Sequence, residues 1–224
     1  MEYAKDVTVS LVDVQSATAA PGVTGELGST AAGVMLSYAD NAVVAGCQFS
    51  DLSGGKGTRT QWYCGDSTQC GTILSGGLAA AIAANNSLGL NCIGNTATGI
   101  TGGAGIEGGF GNSKFSPGMG GIGAGIYLSA SPLAHVAGNT FADIHGGETA
   151  ESEGSHPEQV GFGLYLEDDS LQTSVPLTNT IDGDTIVFLN GVDGAIISGL
   201  SLDSETQPTN LGKIVVLNSQ NVVC

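Results

Sequence analysis

The chain repeats itself without keeping a fixed period. Gly125-Ile126-Tyr127-Leu128 is matched by Gly33-Val34-Met35-Leu36, by Gly77-Leu78-Ala79-Ala80 and by Gly163-Leu164-Tyr165-Leu166. Weaker copies start at Thr185 (T-I-V-F-L-N) and Lys213 (K-I-V-V-L-N). A second apolar block follows most anchors: A-V-V-A-G-C from Ala42, L-G-L-N-C-I-G-N from Leu88, L-A-H-V-A-G-N-T-F from Leu133 and A-I-I-S-G-L from Ala195. Successive anchors lie 44, 48, 38, 22 and 28 residues apart. The shortest interval matches one rung of about 20–25 residues, built from short strands and tight turns. The longer intervals hold one rung plus an inserted loop, or two rungs. One such rung cannot bury its apolar face alone, whereas stacked rungs bury one another.

The residues between anchors support this reading. Short apolar runs are broken by turn formers, as in V-A-G-N-T-F and I-S-G-L-S-L, and helical periodicity is scarce. Residues 78–84 (L-A-A-A-I-A-A) have helix propensity, but their alignment with the anchor predicts a strand. Aromatic residues make up 5% of the chain and glycine accounts for 37 of its 224 residues, so the interior must be narrow and filled by small and branched aliphatic side chains. Asn41, Asn86, Asn139, Asn179 and Asn218 are expected at corners, because asparagine tolerates left-handed backbone. The predicted fold is all-β, a parallel β-solenoid.

The pattern G-x-G-I-Y-L…G-N-T-F…G-G between residues 123 and 147 resembles the right-handed parallel β-helix repeats of bacterial surface proteins. Those include the polymorphic outer-membrane protein and autotransporter passenger families, with their G-G-A-I and F-x-x-N signatures. The resemblance spans about residues 32–224. It implies a right-handed parallel β-helix, a place outside the cell or on its surface, and a structural or adhesive role.

The chain is expected to be a single β-helix segment over residues 1–224, with loops 53–76, 102–124 and 145–161 inserted between rungs. Neither end carries an obvious cap, so a segment of a longer molecule is expected. Residues 102–125 contain 11 glycines and read as a flexible protruding loop, since no phosphate-binding fingerprint is present. The 53–76 loop holds Arg59, Trp62 and Tyr63, which either stack on a sugar or partner, or pack on the wall of the solenoid. Cys64 and Cys70 close a short loop compatible with a disulfide, which would place the protein outside the cytoplasm. Cys47 and Cys92 follow their anchors by 14 and 15 residues and are expected to stack on neighbouring rungs, bonded or as a buried thiol pair.

Charge narrows the partners. Five basic residues against 21 acidic ones give a net charge of −16, which argues against nucleic acid and against a polybasic membrane surface. No apolar run approaches the length of a membrane span. Ten of the acidic residues fall between 143 and 184, with no Lys or Arg among them. Carboxylates at that density repel one another unless solvent or Ca²⁺ separates them, and Glu148, Glu151 and Asp184 are the candidate Ca²⁺ ligands. Asp143, Asp168, Asp169 and Asp182 are the candidate catalytic carboxylates of a polysaccharide lyase or glycoside hydrolase. No G-x-S-x-G, H-E-x-x-H or P-loop motif is present. The leading expectation is a structural or adhesive segment with no cofactor, meeting a polysaccharide or a cell-surface partner. A carbohydrate-active enzyme and a Ca²⁺-stabilised binding module are the alternatives.

Overall fold

The computed structural model describes residues 4–23, 26–63, 69–73, 75–106, 118–148, 161–167, 174–175, 180–181, 186–197, 201–202 and 214–223. Among these residues the structure is all-β, with no helix. Three six-stranded sheets carry most of it, and every strand pair within them is parallel. The first sheet holds Ala31–Ser37, Ala79–Asn85, Gly123–Ser129, Phe162–Glu167, Ile186–Asn190 and Ile214–Leu217. The second holds Thr8–Ser10, Val43–Ala45, Asn91–Ile93, His135–Ala137, Ser174–Val175 and Ile196–Ile197. The third holds Asp13–Gln15, Gln48–Ser53, Thr96–Thr101, Thr140–His145, Thr180–Ile181 and Ser201–Leu202. The chain visits first, second and third sheet in turn, and each circuit lays its strands beside those of the circuit before.

Stacking places like on like. Val34, Ile82, Ile126, Leu164 and Val187 share one register row of the first sheet, and Leu36, Ala84, Leu128, Leu166 and Leu189 share another. In the third sheet Leu52, Ile100 and Ile144 align, as do Phe49, Ala97 and Phe141. Nearly all of these side chains are buried, and each aliphatic one removed from water contributes roughly 1.5–3 kcal/mol. The strand expected over 78–84 is present, but its register differs from the sequence match. Ile82, not Leu78, pairs with Val34, so the first two intervals are 48 and 44 residues. Gly76-Gly77 is occupied elsewhere, and Ala81 stands where Gly33 and Gly125 stand in adjacent circuits. A Cβ on Gly33 would lie 2.2 Å from the ring of Phe49, and one on Gly125 would lie 2.3 Å from that of Phe141. The circuit with alanine at 81 has the small Ala97 in place of the phenylalanine. In these three circuits glycine goes with phenylalanine and alanine with alanine.

Left-handed residues line up in columns at the corners. Tyr38, Asn86, Ala130, Gly191 and Asn218 form one column, and Asp6, Asn41, Gly89, Leu133, Gly194 and Asn221 another, all at positive φ. Asn41, Asn86 and Asn218 therefore sit at corners as expected; Asn179 lies outside the described residues. Asn139 does not. It is fully buried, and its amide joins an internal ladder. Asn139 Oδ1 accepts from the backbone N–H and the side-chain amide of Asn95, both at 2.9 Å. Asn95 Oδ1 in turn accepts from the backbone N–H of Cys47 at 3.0 Å. A serine ladder does the same at another corner: Ser87 Oγ accepts from Ala39 N–H, and Ser131 Oγ from Ser87 N–H. These side chains satisfy backbone donors that the turns would otherwise strand in the interior.

The glycine-rich flanks are not a protruding loop. Five Gly-Gly doublets, at 54–55, 76–77, 102–103, 120–121 and 146–147, meet where the third sheet hands the chain to the first. Gly55 donates to Ser29 O, Gly77 to Gly55 O, Gly103 to Gly77 O, Gly121 to Gly103 O and Gly147 to Gly121 O, at 2.7–2.8 Å. Outgoing and incoming segments thereby interleave in one hydrogen-bonded ladder. A Cβ on Gly77, Gly103, Gly121 or Gly147 would lie 1.9–2.1 Å from a backbone oxygen of a neighbouring segment. Only glycine admits backbones this close, as in other polyglycine-like packings. Residues 107–117, the centre of the expected loop, lie outside the described residues.

Two smaller pairings complete the structure. Ala4–Lys5 pairs with Ala39–Asp40, and Arg59–Tyr63 forms an antiparallel hairpin with Gln69–Ile73 inside the segment expected to be a loop. Among the described residues no helix is long and apolar enough to cross a membrane.

Candidate functional site

The outer face of the first sheet carries an aromatic cluster in which Tyr165 is buried and Tyr127, Phe162 and Phe188 are half-buried. Strand alternation sends Met35, Ala83, Tyr127, Tyr165 and Phe188 outward in one register row. Tyr127 and Tyr165 stack at 5.4 Å between ring centroids, and Tyr165 and Phe188 at 4.8 Å. Phe162 closes the cluster edge-on, 4.9 Å from Tyr165 and 5.3 Å from Phe188. Parallel strands set rungs about 4.8 Å apart, so identical ring positions fall into favourable stacking distance.

The phenol of Tyr127 donates to Glu167 Oε1, which fixes the ring's orientation. Partial burial, and then the Glu167 carboxylate, push the Tyr127 hydroxyl well above its ordinary pKa, so it stays a neutral donor. Beyond Tyr127 the row drops to Ala83 and rises again to Met35. A cavity of about 360 Å³ opens there, running from Gly77 and Leu78 at the glycine corner to Asn85 at the far end of the strand. None of its lining residues is charged.

The candidates from sequence do not gather into a site among the described residues. Asp143 lies within the third-sheet strand Thr140–His145 at φ 52°, in one column with Ser16, Asp51 and Gly99, all left-handed. Its carboxylate meets His145 Nε2 at 2.8 Å on the exposed surface. The aspartate is there because a short polar side chain tolerates that backbone. Glu148 is exposed, and its carbonyl receives the N–H of Gly105. Asp168, Asp169, Asp182, Glu151 and Asp184 lie outside the described residues, as does Cys64. Arg59, Trp62 and Tyr63 lie on one hairpin strand, and Cys70 on the other, opposite Trp62. Among the described residues no three His, Cys, Asp or Glu side chains are grouped to hold a metal ion.

Cys47 and Cys92 are free, buried thiols and do not stack on each other. Cys92 shares its row with Val44 and Val136, while the place of Cys47 in the next circuit is taken by Asn95. Burial pushes the Cys92 thiol up to about 12. The sequence match misplaced this pair because it counted from Gly77 rather than from Ala81.

No protein-family model matches the chain, and no curated protein matches it. Among solved structures, a trypsin-treated variant of QnrB1, described as a plasmid-mediated fluoroquinolone resistance protein, aligns over 89% of this chain and 92% of its own, at 11% identity and a TM-score of 0.17. A likeness at that level carries no argument about this chain.

The outer aromatic row was present in the anchors from the start, as Met35, Tyr127 and Tyr165 at one position of G-V-M-L, G-I-Y-L and G-L-Y-L. Its signal was the recurrence of a bulky residue between two buried aliphatic ones.

Proposed function

We propose that the chain is a segment of a right-handed parallel β-helix that acts as a structural and adhesive element outside the cell or on its surface. The observation that carries this reading is the outer face of the first sheet, where an aromatic and apolar row continues across successive circuits. Two of the polar residues singled out from sequence have architectural uses: Asp143 takes left-handed backbone within the strand Thr140–His145, and Asn139 lines the interior. A protein whose buried polar groups hold its own rungs together, and whose outer sheet face carries half-buried Tyr127 and Phe188 in one row with the exposed Met35, is suited to contact rather than turnover. The net charge of −16 favours neutral or basic partners over polyanions.

The test is a binding assay with the immobilised chain and intact cells or extracellular matrix, scored against surface variants. Binding is expected to saturate, to be lost in Tyr127→Ala and in Met35→Glu, and to survive Thr98→Lys on the exposed side of the third sheet. Absence of binding, or binding that ignores the two first-sheet substitutions, refutes the adhesive reading.

A further inference from the structure

The aromatic row on the first sheet lacks one rung. Met35, Ala83 and Tyr127 are in direct register, so Met35 and Tyr127 stand two strand spacings apart, about 9.6 Å. Between them only the Ala83 methyl projects, and it is 5% exposed at the bottom of the gap. A flat ring placed midway would lie about 4.8 Å from each neighbour. That is the spacing the protein already uses between Tyr165 and Phe188, 4.8 Å, and close to the 5.4 Å between Tyr127 and Tyr165.

We propose that this gap is a binding slot for an uncharged, single-ring aromatic compound, which inserts as the missing rung between Met35 and Tyr127. The two walls suit such a ring. One is the second face of Tyr127, whose other face is stacked on Tyr165, and an offset-stacked partner is favoured there. The opposite wall is a thioether, 59% exposed and unbranched, which swings to meet a ring and makes favourable sulfur–aromatic contact. Leu78 and Leu27 close the end near the glycine corner, and Ser37 and Asn85 give the other end polar groups for a ring hydroxyl. No lining side chain would neutralise a charge, so burying an ionised ligand there is unfavourable. The Glu167 bond to the phenol of Tyr127 holds that wall in place. The slot stands apart from the adhesive reading, since it needs no partner cell and no second chain.

The test uses the whole chain labelled at alanine methyls and titrated with p-cresol, followed by NMR. The Ala83 methyl lies beneath the inserted ring and is expected to move upfield and saturate. Benzoate, which is charged, and methyl glucoside, which is neutral but not flat, are expected to leave it in place. Ala83→Tyr supplies the rung from the protein itself and abolishes the p-cresol response. Tyr127→Leu keeps the bulk but removes the π face, and weakens binding by roughly two- to tenfold. Should Ala83→Tyr fail to fold, Tyr127→Leu decides alone. A natively dispersed spectrum in which p-cresol does not move the Ala83 methyl overturns the proposal. So does an equal response to methyl glucoside, or unchanged affinity in the folded variants.

Discussion

Gly103→Ala tests the central packing argument. The added Cβ would fall 1.9 Å from Gly55 O and 2.7 Å from Gly77 N. Ordinary carbon–oxygen contact needs about 1.5 Å more. The obstruction is backbone on a neighbouring segment, so no side chain can rotate away. Parting the segments by that much breaks two bonds now 2.8 Å long, Gly77 N–H to Gly55 O and Gly103 N–H to Gly77 O. All three glycines are buried, so water does not replace those partners. At about 1–3 kcal/mol for each stranded pair, the expected loss is roughly 4 kcal/mol. Gly94→Ala is the control, because Gly94 has φ +64° and nothing within 4 Å of its would-be Cβ. It carries only the left-handed penalty, about 1–2 kcal/mol. Urea unfolding of the two variants beside the parent reads the difference directly. If Gly103→Ala and Gly94→Ala unfold within ~1 kcal/mol of one another, the doublets are not a close-packed ladder and the argument fails.

Three further outcomes follow from the same structure. Asn139→Ala removes the acceptor for the Asn95 N–H and is expected to cost about 2–4 kcal/mol in denaturant unfolding, far more than a surface asparagine. Gly125→Ala is expected to destabilise strongly, and a double-mutant cycle with Phe141→Ala should recover part of that loss, since the nearest clash, at 2.3 Å, is with the Phe141 ring while a second, 2.7 Å from Gly163 O, is with backbone; additive effects would contradict the pairing. The Cys92 thiol has its pKa raised by burial from 9.0 to about 12, so its neutral form is favoured in the folded state. That stability is complete below pH 9 and is lost as pH rises toward 12, at about 1.4 kcal/mol per pH unit for one proton. Unfolding curves across that range should show the decline in the parent and a smaller one in Cys92→Val, with native Cys92 unreactive to a thiol reagent until denaturant is added.

Several features were legible in the residues because they depend on neighbours along the chain. Alternating short apolar runs and turn formers predicted strands, and the asparagines at 41, 86 and 218 predicted left-handed corners. The low aromatic content predicted an interior of aliphatic rows. Each of these follows from local backbone preference or from the two-residue period of a strand.

The tertiary structure alone decided what each repeated residue is for. Gly77 looks like Gly33 in sequence, yet one belongs to the interleaved ladder and the other makes room for a phenylalanine. Asn139 looks like Asn86, yet one is a buried acceptor and the other an exposed corner. Asp143, a candidate for chemistry by its sequence, takes left-handed backbone within the strand Thr140–His145. The physical reason is common to all three. The register of one circuit on the next is set by the summed burial of whole rows and by backbone contacts between residues some 20–50 positions apart in sequence. A four-residue slip leaves the local pattern intact and changes every partner. The gap at Ala83 belongs to the same class, since a missing rung exists only once Met35 and Tyr127 stand on either side of it.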